Sequence, residues 1–357
     1  MIIGIDARAG AKAERAGKGE YVYQLVSHLI KDSRHQFILF LDTDLPLEWR
    51  KDNVRGVTYR VSAWLWQLLL LGYLELLRPV DVYLSTTSLI LPALVRSVPV
   101  VTALMDFVSF VLPDRHEAKA VWLERMWMRP ALRCSRKLIA ISEYTKQDAV
   151  RLFGVSPEKI TVTYLAASFS LDQQDYPLPY PKIILCVGTL EPRKNLERVV
   201  AAFNLIKPSL PDAHLVWVGR WGWQSEGIRQ AVASSPFCSD IHILDNISAS
   251  EKKSIYRQAD VLVFPSLYEG FGLPPLEAME LGVPVVASRV SAIPEVVDEA
   301  GILIDPLSPT AIAEAIKNVL TDSQLAERLR QKGLERAKLF TWDSTAQKTL
   351  DVLQNIF

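Results

Sequence analysis

Short apolar runs alternate along the whole chain with stretches in which apolar positions recur every three or four residues. Residues 2–5, 37–41, 81–84, 98–104, 137–141 and 160–164 are runs of the first kind and predict strands. Val22, Leu25, Val26, Leu29 and Ile30 fall on one face of a 3.6-residue period and predict a helix between the first two. Alternation of this kind predicts parallel sheets covered on both faces. It pauses at residues 165–182, LAASFSLDQQDYPLPYPK, which are polar and carry three prolines, the composition of a linker. It then restarts: Lys182–Val187, Ala213–Val218, Ile241–Leu244, Val261–Phe264 and Val283–Ala287 predict strands. Glu314–Leu320, Gln324–Leu339 and Trp342–Phe357 predict helices. The expected fold class is therefore α/β with two doubly wound, Rossmann-like domains. They span 1–168 and 182–340, with 169–181 as linker and a closing helix over 341–357. Two such domains are expected to hold a ligand in a central cleft, at the carboxyl ends of their strands.

Composition changes this picture only at its edges. A length of 357 residues suits two domains, and 49% hydrophobic with 22% charged residues suits a globular chain. A formal net charge of zero argues against a bulk nucleic-acid binder. The N-terminal half nevertheless has a basic excess that the C-terminal half balances. This excess either favours an anionic membrane face or acceptor, or is a chance partition of surface charge. Trp64 to Leu77, WLWQLLLLGYLELL, is strongly apolar but too short to span a bilayer; it is expected to be a buried helix rather than one lying on a membrane. The opening Met1-Ile-Ile-Gly-Ile-Asp6 reads as a buried strand and not as a signal peptide. Cys134, Cys186 and Cys238 have no paired spacing, as expected in a reducing compartment. The expected location is cytoplasmic, peripheral to the inner face of the plasma membrane if the basic half makes contact there.

The most informative passage runs from Asp260 to Asp305. A strand ends at Pro265, a loop follows with Glu269, Gly270 and Gly272, and Pro274-Pro275 introduce a helical pattern over Leu276–Leu281. Prolines suit a helix start, where the first N–H groups have no intrahelical partner. Glycines let the loop approach a ligand, and the helix N-terminus offers donors to its oxygens. A carboxylate accepts two hydroxyl hydrogen bonds, so Glu269 and Glu277, eight residues apart, suit a sugar and a ribose. Taken alone, Glu277 reads equally as a glutamate favoured by the helix dipole, and Arg193-Lys194 as a solvated turn.

Glu269-Gly-Phe-Gly-Leu-Pro-Pro-Leu-Glu277 resembles the E-x7-E motif of retaining GT-B glycosyltransferases of family 4 (glycosyl transferases group 1), mannosyltransferase-like branch. The resemblance continues through Gly282-Val-Pro284 and Ile293-Pro-Glu295. It extends to the turn Gly188-Thr-Leu-Glu-Pro-Arg193-Lys194-Asn195, to Ala140-Ile-Ser142-Glu-Tyr-Thr-Lys, and to Gly4-Ile-Asp6-Ala-Arg8 with Gly17-Lys-Gly19. It implies that Arg193 and Lys194 bind the donor diphosphate and that Glu277 holds the ribose. Glu269, with Gly270 and the backbone of Phe271, Gly272 and Leu273, would hold the transferred sugar, and Gly17 and Gly19 would form a loop closing over the phosphates. The catalytic set it implies is Glu269, Asp106, Arg193 and Lys194. The N-terminal domain would be the acceptor side, with the helix 341–357 crossing back onto it.

The implied function is retaining transfer of a hexose from a nucleoside diphosphate sugar to a glycan or lipid-linked acceptor in surface polysaccharide synthesis. Mannose is the first expectation, and other hexoses are open. No cofactor, metal or nucleic-acid partner is expected. No protein nucleophile is evident, so a same-face mechanism is expected, in which the departing phosphate deprotonates the acceptor.

One position departs from the branch. After the strand Val100-Val-Thr-Ala-Leu, where His-Asp is usual, the chain has Met105-Asp106, and methionine can supply neither a proton nor a strong hydrogen bond. Asp106 is read as a sugar contact or as a turn residue, and His116 as a surface residue or a substitute for the missing histidine. Asp42-Thr-Asp44 is read as a turn rather than a metal site. Trp221 and Trp223 either line the cleft or pack their loop. The rival functions are a sugar-nucleotide 2-epimerase and a non-catalytic nucleotide-sugar binder.

Overall fold

The computed structural model describes residues 1–357 apart from 14, 16, 116–117, 170–173, 246 and 357, and apart from the side chains of 115 and 118–120. The chain divides into two compact units. Unit 1 comprises Met1–Val111, Ala118–Leu165 and Thr341–Phe357; unit 2 comprises Leu112–Glu117 and Ala166–Phe340.

Unit 1 is built on seven strands: β1 (Ile2–Asp6), β2 (Gln36–Leu41), β3 (Val54–Thr58), β4 (Val82–Ser85), β5 (Val100–Leu104), β6 (Lys137–Ala140) and β7 (Ile160–Val162). Unit 2 has six: β8 (Lys182–Val187), β9 (Ala213–Val218), β10 (Ile241–Leu244), β11 (Val261–Phe264), β12 (Val285–Ser288) and β13 (Ile302–Ile304). The spatial orders are β3-β2-β1-β4-β5-β6-β7 and β10-β9-β8-β11-β12-β13, and every pairing is parallel. Central strands are buried along almost their whole length, which is why they read as unbroken apolar runs. In each unit the order reverses beside the first strand, between β1 and β4 and between β8 and β11. In open parallel sheets that is where the carboxyl ends leave a crevice.

The apolar pattern misses β3 and β13. Both are edge strands: β3, VRGVT, is half-exposed, and β13 is three residues long. Polar and glycine positions interrupt β3, and β13 is too short to stand out as a run. The apolar stretch expected to be buried forms the helix Ala63–Leu77, but it is buried on one face only. Trp66, Gln67, Leu70 and Leu74 point inwards, whereas Trp64, Leu65, Leu68, Leu69, Leu76 and Leu77 are exposed. Among the described residues, no helix is long and apolar enough to cross a membrane.

Two further segments are tied down. From Gln174 the proline-rich stretch is fastened to unit 2. Tyr176 N–H donates to Ser254 Oγ (3.1 Å), Leu178 N–H donates to Gln258 Oε1 (2.8 Å), and Tyr180 stacks on His214 and His242. The last helix, Trp342–Gln354, belongs to unit 1. Trp342 packs on Tyr21, with ring centroids 6.4 Å apart, and Thr345 Oγ1 donates to Tyr164 O at 2.5 Å.

Candidate functional site

The site grows from two strand ends of unit 2. After β8 the chain turns at Gly188, whose φ of 139° lies in the region that favours glycine. A Cβ there would lie 3.2 Å from Lys194 Cε, so the missing side chain makes room for the lysine stem. A single 3₁₀ turn, Pro192–Lys194, follows, and Asn195 closes it in the left-handed conformation. Its side-chain amide donates to Pro265 O (3.1 Å) and Pro306 O (2.6 Å), pinning the turn to the loop after β11. Leu267 N–H completes the lacing by donating to Arg193 O (2.9 Å).

That loop carries Glu269 and enters the helix Leu273–Glu280 through Gly272, whose φ of 119° again requires glycine. Pro274 and Pro275 have no amide hydrogen, so the helix starts without leaving those donors unpaired. Glu269 N–H donates to Ser291 Oγ at 3.0 Å, fixing the loop backbone.

The side chains converge on Glu269. Its Oε1 lies 2.7 Å from Arg193 Nη1 and 2.6 Å from Lys194 Nζ. Arg193 also donates to Tyr268 O (2.7 Å) and to Glu191 Oε1 (2.5 Å), the latter buried. Two cations, Lys194 buried and Arg193 partly so, thus face two anions, Glu191 buried and Glu269 partly so. Burial alone would raise the Glu269 carboxyl, but the charges of Arg193 and Lys194 outweigh it and hold it at about 2. Lys194 moves the opposite way from an ordinary ion pair: burial lowers it, and Arg193 beside it adds to the lowering against the pull of Glu269. Glu269 faces two cations and Lys194 only one close anion, which accounts for the asymmetry.

Glu277 lies in the second turn of the helix and is 5% exposed. Lys252 Nζ reaches its Oε1 (2.5 Å), and the Tyr256 hydroxyl, itself fully buried, donates to Oε2 (2.7 Å). Burial, and then the neighbouring carboxylate, push the Tyr256 phenol up, so it stays a donor at any physiological pH.

The structure therefore gathers Arg193, Lys194, Glu269, Gly270, Phe271, Gly272, Leu273 and Glu277 at the carboxyl ends of β8 and β11. The Phe271 ring is buried against Phe340, with centroids 5.8 Å apart. The other expected residues lie on unit 1. Gly17 and Gly19 are not in a loop; they form the first turn of the helix Gly17–Leu29. Gly19 serves close packing there, since a Cβ would lie 2.9 Å from Ala9 O, whereas Gly17 meets nothing. Asp106 follows β5 and accepts the Val108 N–H (3.1 Å), the turn role read for it. His116 lies outside the described residues. Asp44 pairs with Arg60, and Trp221 packs on the unit 2 core with Arg229 over its ring (3.6 Å).

Sequence reasoning missed Glu191, Lys252 and Tyr256 as partners of the candidate site residues. Glu191 had a signal, an acid two residues before Arg193. Lys252 and Tyr256 sit four apart on the helix Ala249–Arg257 and so share a face, but nothing in the chain ties that face to Glu277.

Two family descriptions match the chain: "Glycosyl transferases group 1" over residues 171–336 and "Glycosyltransferase Family 4" over residues 16–167. O-antigen chain mannosyltransferase B of Escherichia coli is 31% identical over 262 residues, 70% of this chain and 69% of that protein. The chain belongs to glycosyltransferase family 4, group 1. A second relative of this family 4 glycosyltransferase is the serotype-specific mannosyltransferase WbdA of E. coli. It is 28% identical over 219 residues, 59% of this chain but only 27% of that longer protein. The fold of HepE from Anabaena, solved with UDP-glucose, matches over 99% of both chains with a TM-score of 0.77 at 18% identity. The family 4 glycosyltransferase thus has the GT-B fold, two parallel-sheet Rossmann-like units in one chain.

Proposed function

We propose that this glycosyltransferase moves a mannosyl residue, with retention, from a nucleoside diphosphate sugar to a glycan or lipid-linked acceptor in surface polysaccharide synthesis. The observation that carries the reading is the Arg193–Lys194–Glu269 cluster beside Glu277 at the N-terminus of Leu273–Glu280. The cluster is suited to a diphosphate because it offers two side-chain cations with N–H donors, and the positive end of the Leu273–Glu280 dipole follows on the same loop. Docked there, the diphosphate would compete with Glu269 for Arg193 and Lys194. The freed carboxylate would then accept hydroxyls of the sugar, while Glu277, oriented by Tyr256, accepts those of the ribose.

As the glycosidic bond breaks, charge develops on the leaving phosphate, and two fixed cations stabilise it where it forms. Those cations supply the charge that a divalent ion would, so turnover is proposed to be metal-independent. The same phosphate, on the face where the acceptor arrives, would take the acceptor proton. Mannose as the donor sugar is supported by the mannosyltransferase relatives. Unit 1 is assigned to the acceptor, with peripheral membrane contact where that acceptor is lipid-linked.

The test is turnover of GDP-mannose against UDP-glucose and UDP-N-acetylglucosamine, with and without EDTA, and with the anomeric configuration of the product read by NMR. Chelator-resistant formation of an α-linked mannoside supports the proposal. An inverted product or dependence on a divalent ion would refute those parts of it. Release of free mannose epimer with no acceptor would favour the epimerase rival.

A further inference from the structure

The helix Ala63–Leu77 presents to solvent a face that a stable surface helix does not ordinarily carry. Trp64 is 57% exposed, Leu68 59% and Leu76 83%, with Leu65 and Leu69 between them. The one charged residue of the helix, Glu75, is turned aside: it accepts the Arg96 N–H (2.5 Å) and Ser97 N–H (3.1 Å). The opposite face is fully engaged in the core with Ile38, Phe40 and Tyr83, so the helix cannot rotate to hide its leucines.

The apolar surface continues. The short helix Ile90–Leu94 packs against both Ala63–Leu77 and the helix Ala118–Cys134, and Leu94 is exposed between them. On Ala118–Cys134 the outward stripe reads Trp122, Arg125, Met126, Arg129, Arg133, at the spacing of one helix face. Arg78, exposed at the end of the first helix, adds a further guanidinium. Among the described residues, Arg78, Arg125, Arg129 and Arg133 make no ion pair.

We propose that these two helices form a docking surface for a bilayer with anionic headgroups. Trp64, Leu65, Leu68, Leu69 and Leu76 would enter the headgroup–acyl boundary, and the arginines would lie against lipid phosphates. Tryptophan, leucine and arginine face outwards, while the acids Glu75 and Glu124 are engaged elsewhere, Glu124 by Ser109 and Lys18; this is the chemistry of interfacial helices. A second copy of the chain fits less well, because it would bring a second set of unpaired arginines into one interface with no acids there to match them. The inference deepens the membrane contact named above and rests on that reading. It is tested without reference to the donor site.

The experiment is flotation of the full chain with phosphatidylcholine vesicles, with and without phosphatidylglycerol. Wild type is expected to bind the anionic vesicles, and to bind less as salt is raised. Two variants are compared with it: Trp64→Ser/Leu68→Ser/Leu69→Ser, and Arg125→Glu/Arg129→Glu/Arg133→Glu. Each is expected to lower the bound fraction more than about tenfold, at about 1 kcal/mol for each arginine near the surface. All substituted side chains are exposed, and unchanged nucleotide diphosphate binding by thermal shift confirms that each variant is folded. Absence of wild-type vesicle binding overturns the proposal, as does binding that neither variant weakens or that ignores salt. So does a dimer in sedimentation that the leucine variant dissociates. Vesicle binding with no nucleotide binding would instead leave the surface standing and remove the donor site.

Discussion

The two units solve the end of their first strand in nearly the same way and then diverge. In unit 1, β1 ends at Asp6, and Arg8 two residues on forms a two-point ion pair with it, Nε to Oδ1 at 2.9 Å and Nη2 to Oδ2 at 2.8 Å. In unit 2, β8 is followed by Glu191, and Arg193 two residues on pairs with it at 2.5 Å. The acid is buried in both. The unit 1 pair ends there, with its guanidinium lying 3.5 Å over Trp66, so the charge is matched and covered. The unit 2 pair continues to Glu269 on the next strand's loop and shares it with Lys194. The same local device is structural in one unit. In the other it becomes one node of a larger charged network, to which the proposed function assigns the donor diphosphate. An arginine beside an acid therefore indicates function by what lies beyond it.

The largest effects should separate the two versions. Lys194→Ala removes a cation proposed to face the leaving phosphate, so kcat should fall by about 100- to 1000-fold and nucleotide diphosphate affinity more than tenfold. Steady-state kinetics and titration calorimetry check both. Asp6→Ala should leave that affinity unchanged yet cost about 3 kcal/mol of unfolding free energy, because Arg8 stays partly buried without its partner. Urea unfolding measures this, and a loss of nucleotide binding in folded Asp6→Ala protein would erase the contrast drawn here.

Glu277→Ala should weaken the nucleotide diphosphate more than about tenfold if, as proposed, its carboxylate accepts the ribose hydroxyls. Tyr256→Phe should raise KM about threefold with kcat nearly unchanged, because it only loosens the carboxylate. The smallest effect concerns pH. Glu269 is held at about 2 in the folded chain, below its ordinary value of 4.5, so the unfolded chain binds that proton more readily. Its contribution to stability is thus present above about 4.5 and is lost as pH falls towards 2. Unfolding free energies measured across that window should slope less in Glu269→Gln than in wild type.

Much of this was legible in the sequence because burial writes itself into apolar runs. The eleven strands found by pattern include every central one, whereas β3 was lost because arginine, glycine and threonine interrupt its apolar positions, and β13 because it is only three residues long. The E-x7-E segment and the Gly188–Asn195 turn were legible as motifs, since a loop that approaches a phosphate must use particular residues at fixed spacing. The partnership of Glu277 with Lys252 and Tyr256 was not legible. It depends on how the helix Ala249–Arg257 lies against Leu273–Glu280, which is a tertiary fact with no local signature. The exposed face of Ala63–Leu77 was misread for a related reason: a helix apolar all round carries no periodicity to show which side is covered.

The place of Trp342–Gln354 has a consequence for how the chain is made. Unit 2 is essentially one continuous stretch, complete as soon as Phe340 has been synthesised. Unit 1 is split, and its last helix leaves the ribosome only after all of unit 2. Until then Tyr21 lacks its Trp342 neighbour and Tyr164 O lacks the Thr345 hydroxyl. The half of the protein translated first is thus the half that closes last, and a fragment cut after Leu165 should fold less well than one spanning 166–340.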